Sequence, residues 1–210
     1  MIKSVKKTIT FILLVCTTIS LSAQEQKEYT GSLLWKVSGK DLTQPSYILG
    51  THHLTDIAFL DSIAGYNKAI DEVRQVAGEI LMSDKAALQQ KLQTAAMMPA
   101  GETYRTLLSD DDYAKLDQNL KAFFGAGIAQ LGILKPGMLF TLYGVTVYQK
   151  IHPELNMQAH VAIDEYIQKK AIEKGLPIIG LETIEDQIYI LLDAEPMQQQ
   201  AEDLVCVTSQ

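Results

Sequence analysis

Apolar positions along the chain fall into two kinds of pattern. Short apolar runs occupy 33–37, 45–49, 75–81 and 177–181, and runs of that length with polar or turn-forming flanks predict strands. The first two are separated by Ser38, Gly39, Lys40 and Asp41, which predicts a hairpin or tight connection. Elsewhere apolar residues recur every three or four positions. Ile63, Tyr66, Ile70 and Val73 predict a helix over 61–74, and the segments 84–98, 109–124, 136–150, 161–174 and 196–207 read as further helices. Local signals support these boundaries. Ser109 is a natural N-cap, followed by Asp110, Asp111 and Asp112 where the helix dipole favours negative charge, and Gly125 and Gly175 are natural stops. Thr183 opens one more helix, with Asp186 in the capping position. The stripe Met138, Leu139, Leu142, Val145 and Tyr148 is expected to be core rather than a ligand channel. The order of elements is that of an α/β protein: a mixed sheet with strand–helix–strand units and a long helical insertion.

The N-terminal stretch changes how composition is read. Residues 1–23 carry Lys3, Lys6 and Lys7, then an apolar run around Val15, then Leu21, Ser22 and Ala23 before polar Gln24; this is the pattern of a cleaved secretory signal. The apolar run is too short for a permanent anchor. Lipidation at Cys16 is the weaker alternative, because Val15 before it is not small. Cleavage leaves 187 residues and moves the formal charge from −7 to −10, since three lysines and no acids are lost. So acidic a chain, with no basic cluster, argues against nucleic acid and anionic lipid as partners. One cysteine, Cys206, remains in 24–210, which excludes an intramolecular disulfide; flanked by Val205 and Val207, it is expected to be buried. A chain of this length without linkers or repeats is expected to form one domain, 24–210, exported to a periplasmic or extracellular space.

The candidate chemistry begins where the second strand ends. Ser46 to Leu49 runs into Gly50, Thr51, His52 and His53, a Gly-x-x-His pattern at the edge where α/β proteins keep their sites. Gly50 permits a bend or close approach of a ligand. A right-handed crossover from this strand to the next would make the two parallel, so that His53 and Glu79 converge at one sheet edge. An imidazole and a carboxylate there can hold a divalent metal or act as a base with its orienting partner, with Thr51 and His52 as supporting donors. Plainer readings stand beside these. His53 can be a loop histidine bonded to backbone, and Glu79 a solvated strand-end acid. Asp164 and Glu182 can approach the same edge, or serve only as first-turn acids of helices. His152 and His160 are expected to face solvent.

Taken together, Leu34-Trp35-Lys36-Val37, Pro45 through His53, Glu79-Ile80, Ile163 through Ile167 and Gly180 through Gln187 resemble the TraB/GumN family, related to the Tiki metalloproteases and to the ChaN and erythromycin-esterase-like proteins. The Gly-x-x-His element followed by the Leu-Glu-Thr-x-x-x-Gln element, which ends on Gln187, carries the resemblance. It implies an α/β fold and a metal-dependent hydrolase site built from two Gly-x-x-His motifs and an intervening glutamate, with peptide bonds among the candidate substrates. By match His53 is the first motif histidine and Glu79 the glutamate, with manganese, cobalt or zinc as the expected metal. The second Gly-x-x-His motif has no counterpart here, so a C-terminally truncated form is expected, with an open sheet edge beside 178–181 that invites pairing with another chain. Two alternatives accompany the hydrolase: a non-catalytic protein that binds a peptide, small molecule or haem, and an inactive fragment.

Overall fold

The computed structural model describes residues 31–39, 41–83, 85–155 and 160–210, and Leu33–Gln210 form a single unit. The expected signal at 1–23 and the lipidation alternative at Cys16 lie outside the described residues. Strand β1, Leu34–Val37, pairs antiparallel with β2, Ser46–Leu49, in the register Leu34 to Leu49 and Val37 to Ser46, as the hairpin pattern predicts. Leu34 and Leu49 point inward, whereas Trp35 and Ile48, opposite one another, lie on the exposed face.

The helix predicted over 61–74 is two pieces. A 3₁₀ turn, Ile57–Ser62, is capped by Asp56, whose carboxylate accepts from the Ala58 N–H. Helix α1, Tyr66–Glu72, starts after Gly65, whose φ of +85° only glycine adopts at little cost. Strand β3 is Val76–Gly78, so Glu79 stands just past its end. The helical insertion follows as α2 (Lys85–Ala95), α3 (Tyr104–Leu107), α4 (Asp110–Phe124), α5 (Ile128–Leu131) and α6 (Pro136–Ile151). Ser109 caps α4 through the Asp112 N–H and Gly125 closes it in the left-handed region, as the sequence signals predict. Helix α7, Ile163–Glu173, leads to β4, Ile178–Gly180, then α8 (Ile184–Ile188), a π-helical stretch at Tyr189–Asp193, and α9 (Met197–Thr208). Thr183 and Asp186 form the predicted capping box of α8.

Among the described residues the architecture is mixed α/β with a helical majority and two open two-stranded sheets. Strand pairing differs from the expectation in one respect. β3 pairs in parallel with β4, not with β2, so the crossover expected between the strands flanking α1 does not form. The β1–β2 hairpin satisfies itself locally, and α7 packs on β3 and β4 to make that pair the parallel unit. Hydrophobic burial is likewise divided. Tyr104, Leu116, Leu120, Leu139 and Leu204 are buried at the centre of the helical part, where α9 packs on α4 and α6. Leu60, Tyr66 and Ile163 form a smaller cluster beneath the hairpin, with Leu34 and Leu49 against it. Of the stripe on α6, Leu139 is fully buried while Leu142 is exposed. Cys206 is exposed rather than buried, because the inward face of α9 carries Ala201, Leu204 and Val205 and leaves the following position outside. No helix among the described residues is long and apolar enough to cross a membrane.

Candidate functional site

The loop after β2, the end of β3 and the first turn of α7 meet at one place. Nδ1 of His53 lies 2.7 Å from Oδ2 of Asp164, and the Thr51 hydroxyl donates to Oδ1 of the same carboxylate at 2.7 Å. On the other side of the ring, Nε2 of His53 is 3.9 Å from Oε2 of Glu79. Gln187 donates its amide N–H to that Glu79 oxygen at 3.2 Å. His53 and Glu79 therefore converge although their strands do not pair. The bridge is α7, whose second residue is Asp164.

Burial and charge explain what each group does. The His53 side chain is 66% exposed and that of Asp164 only 22%. Oδ2 of Asp164 is shielded from solvent, and the ring N–H of His53 is not aimed squarely at it, so the contact is a short ion pair that acts on both groups as a hydrogen bond would. The Asp164 carboxylate raises the His53 pKa, burial opposes it, and the charges of Asp164 and Glu79 add to the rise. Asp164 is held below the usual carboxylate range by His53 and then by Thr51, against its own burial. A carboxylate at Nδ1 keeps the proton on that nitrogen in the neutral ring and leaves Nε2 as the acceptor facing Glu79.

The supporting residues divide. Gly50 donates its N–H to the Leu33 carbonyl at 2.8 Å and so prolongs the hairpin by one bond. His52 turns away from His53: its ring packs against Tyr148, with centroids 5.3 Å apart, and its Nδ1 lies 3.3 Å from the Thr55 hydroxyl. Glu182 meets the site through its backbone, its N–H donating to the Glu79 carbonyl at 2.8 Å. Two histidines expected to face solvent are partly exposed and also have partners in the fold. His152 stacks on Tyr148, and Nε2 of His160 donates to the His53 carbonyl at 2.6 Å, which ties the connection before α7 to the loop that carries the site.

Gln168 is the residue that sequence reasoning passes over. It is 4% exposed on α7, one turn beyond Asp164; its amide N–H donates to the Ile80 carbonyl at 2.8 Å and its oxygen accepts the Met82 N–H at 2.9 Å. The spacing of four from Asp164 places both residues on one face of the helix, and that is the signal available in the sequence. Beside the site lies a cavity of about 370 Å³, with Thr51, Glu79 and Asp164 at its polar part and Leu34, Ile70 and Val76 among its apolar walls. Among the described residues no three His, Cys, Asp or Glu side chains are grouped so as to hold a metal ion.

A mixed α/β protein with an oriented histidine and a glutamate beside an apolar cavity is the class defined so far. The chain belongs to the TraB/PrgY/gumN family, whose family model matches residues 33–210. No curated protein and no solved structure matches the chain.

Proposed function

We propose that this chain is an exported hydrolase in which His53 and Glu79 activate water at the mouth of the cavity, with peptide bonds among its candidate substrates. The observation that carries this reading is the placement of His53, with one ring nitrogen on Asp164 and the other turned toward Glu79. An imidazole oriented through a carboxylate is how both general bases and metal-binding histidines are prepared.

A divalent ion fits the donors in kind and lacks a ligand in number. Nε2 of His53 and the Glu79 carboxylate are donors that zinc, manganese and cobalt accept, while a catalytic centre of this sort normally takes three protein ligands. His53 and Glu79 would hold the ion, which when bound supplies Lewis-acid activation of a carbonyl and of water. The chain's own contribution is distinct. Asp164 fixes the ring and keeps its proton on Nδ1, Gln187 holds one Glu79 oxygen, and the free carboxylate oxygen and Nε2 are left to take a proton from water.

Calorimetric titration of the purified chain with manganese, cobalt and zinc tests the metal part. One-to-one binding that is lost in both His53→Ala and Glu79→Ala supports it. A folded wild-type chain that binds none of the three refutes it. A second reading, ligand binding without turnover, draws on the cavity itself: the Tyr66 hydroxyl is buried there without a protein hydrogen-bond partner, a polar group that a peptide or small molecule could meet. Haem suits the site less, since an axial histidine works inside an apolar enclosure and His53 is largely exposed.

A further inference from the structure

We infer that α7 sets the separation of His53 and Glu79, and that Gln168 is the positioning residue on the Glu79 side. This inference rests on the site reading above, in which those two side chains act together.

Asp164 and Gln168 stand four residues apart on one face of a helix, about 6 Å from one another. Each holds a different chain segment. Asp164 grips the loop after β2 through both His53 and Thr51. Gln168 grips the segment after β3 through the Ile80 carbonyl and the Met82 N–H, directly beyond Glu79. β2 and β3 share no hydrogen bonds, so no sheet register sets the distance between the two loops. One helical turn does so instead.

Gly78 completes the arrangement. A Cβ at Gly78 would lie 2.6 Å from the Gln168 amide nitrogen, closer than a Cβ stands to any neighbour, so the amide holds its present position only because Gly78 has no side chain. The backbone of this segment is fixed from the other side as well. Leu181 and Glu182 donate their N–H groups to the Gly78 and Glu79 carbonyls at 2.9 and 2.8 Å. Gln168 therefore works on a segment that β4 already supports, and it decides where Glu79 stands relative to α7.

The test reads how strongly His53 senses Glu79, with no metal and no substrate present. His53 is titrated by NMR through its ring proton in the full chain, in wild type and in Glu79→Gln, Gln168→Met, Gly78→Ala and Asp164→Asn. Gln168→Met keeps the buried volume and removes both hydrogen bonds. Gly78→Ala leaves the glutamine in place and displaces its amide. We expect both to lower the His53 midpoint by nearly as much as Glu79→Gln does, and to add little in combination with Glu79→Gln. Asp164→Asn should lower it further in every background. The inference is overturned if both folded variants keep the wild-type midpoint, or if their effect adds in full to that of Glu79→Gln. Failure of the metal titration with this coupling intact would remove the metal part of that reading and leave the positioning role standing.

Discussion

His53 serves as a base or a ligand only when neutral, and Asp164 raises the pH at which it becomes so. The direction follows from linkage. A histidine whose folded pKa is raised adds stability that is fully present below its unfolded value, near pH 6.5, and lost as pH rises through the folded value; a carboxylate whose pKa is lowered adds stability that is present above about pH 4 and lost as pH falls through its folded value. The pair thus contributes fully between about pH 4 and 6.5, modestly, because His53 is largely exposed. Function runs the other way: metal affinity, or general-base activity, should rise with pH through the raised His53 midpoint. Asp164→Asn should move that rise to lower pH while weakening the activity itself, since the ring loses its anchor; pH profiles of the wild type and this variant check the two effects together. Gln200 offers a stability prediction on the same scale. It is 8% exposed, its oxygen accepts the Gly137 N–H, and its amide N–H groups donate to the Leu192 and Glu195 carbonyls. Gln200→Leu should cost about 1–3 kcal/mol in denaturant unfolding by stranding those groups.

Elements whose ends carry capping chemistry were legible in the sequence. Ser109, Thr183 and Gly125 each place a boundary within a residue or two of where it lies, because the hydrogen bonds they make are local, and Pro136 does so through its fixed φ at the first helical position. Ser109→Ala should destabilise the fold by about 1 kcal/mol. Strand partnership was legible only for the hairpin. Runs of three or four apolar residues say nothing of which edge meets which, and β3 found β4 102 residues later rather than the nearer β2. The break at Gly65 was also hidden, since Ile63 and Tyr66 keep a helical spacing across it. Gly65→Ala should cost about 1 kcal/mol through backbone strain alone, the added methyl meeting Leu34 at an ordinary 3.7 Å. The site was half visible: His53 and Glu79 stand out by motif, whereas Asp164 looks like a first-turn acid and Gln168 like a surface polar residue until the fold brings them together.

The whole molecule has a larger helical core and a smaller cluster under the hairpin, and cooperative stability follows buried contact. Leu116, fully buried among the helices, should cost about 2–5 kcal/mol when cut to alanine. Amide exchange should be slower in α4, α6 and α9 than in β1 and β2, and equal protection throughout would contradict this division. The distances along the chain that the site's contacts span carry one more consequence. Thr51 reaches Asp164 across 113 residues, His160 reaches His53 across 107, and Gln187 reaches Glu79 across 108. Helices close short loops and form early, whereas contacts of such sequence separation wait for the ends of a long loop to meet. During synthesis the His53 loop must stay unpartnered until α7 has emerged, and on refolding the far-ultraviolet helical signal should return before the ring of His53 regains its native resonance. The site belongs to the late-forming part of this fold.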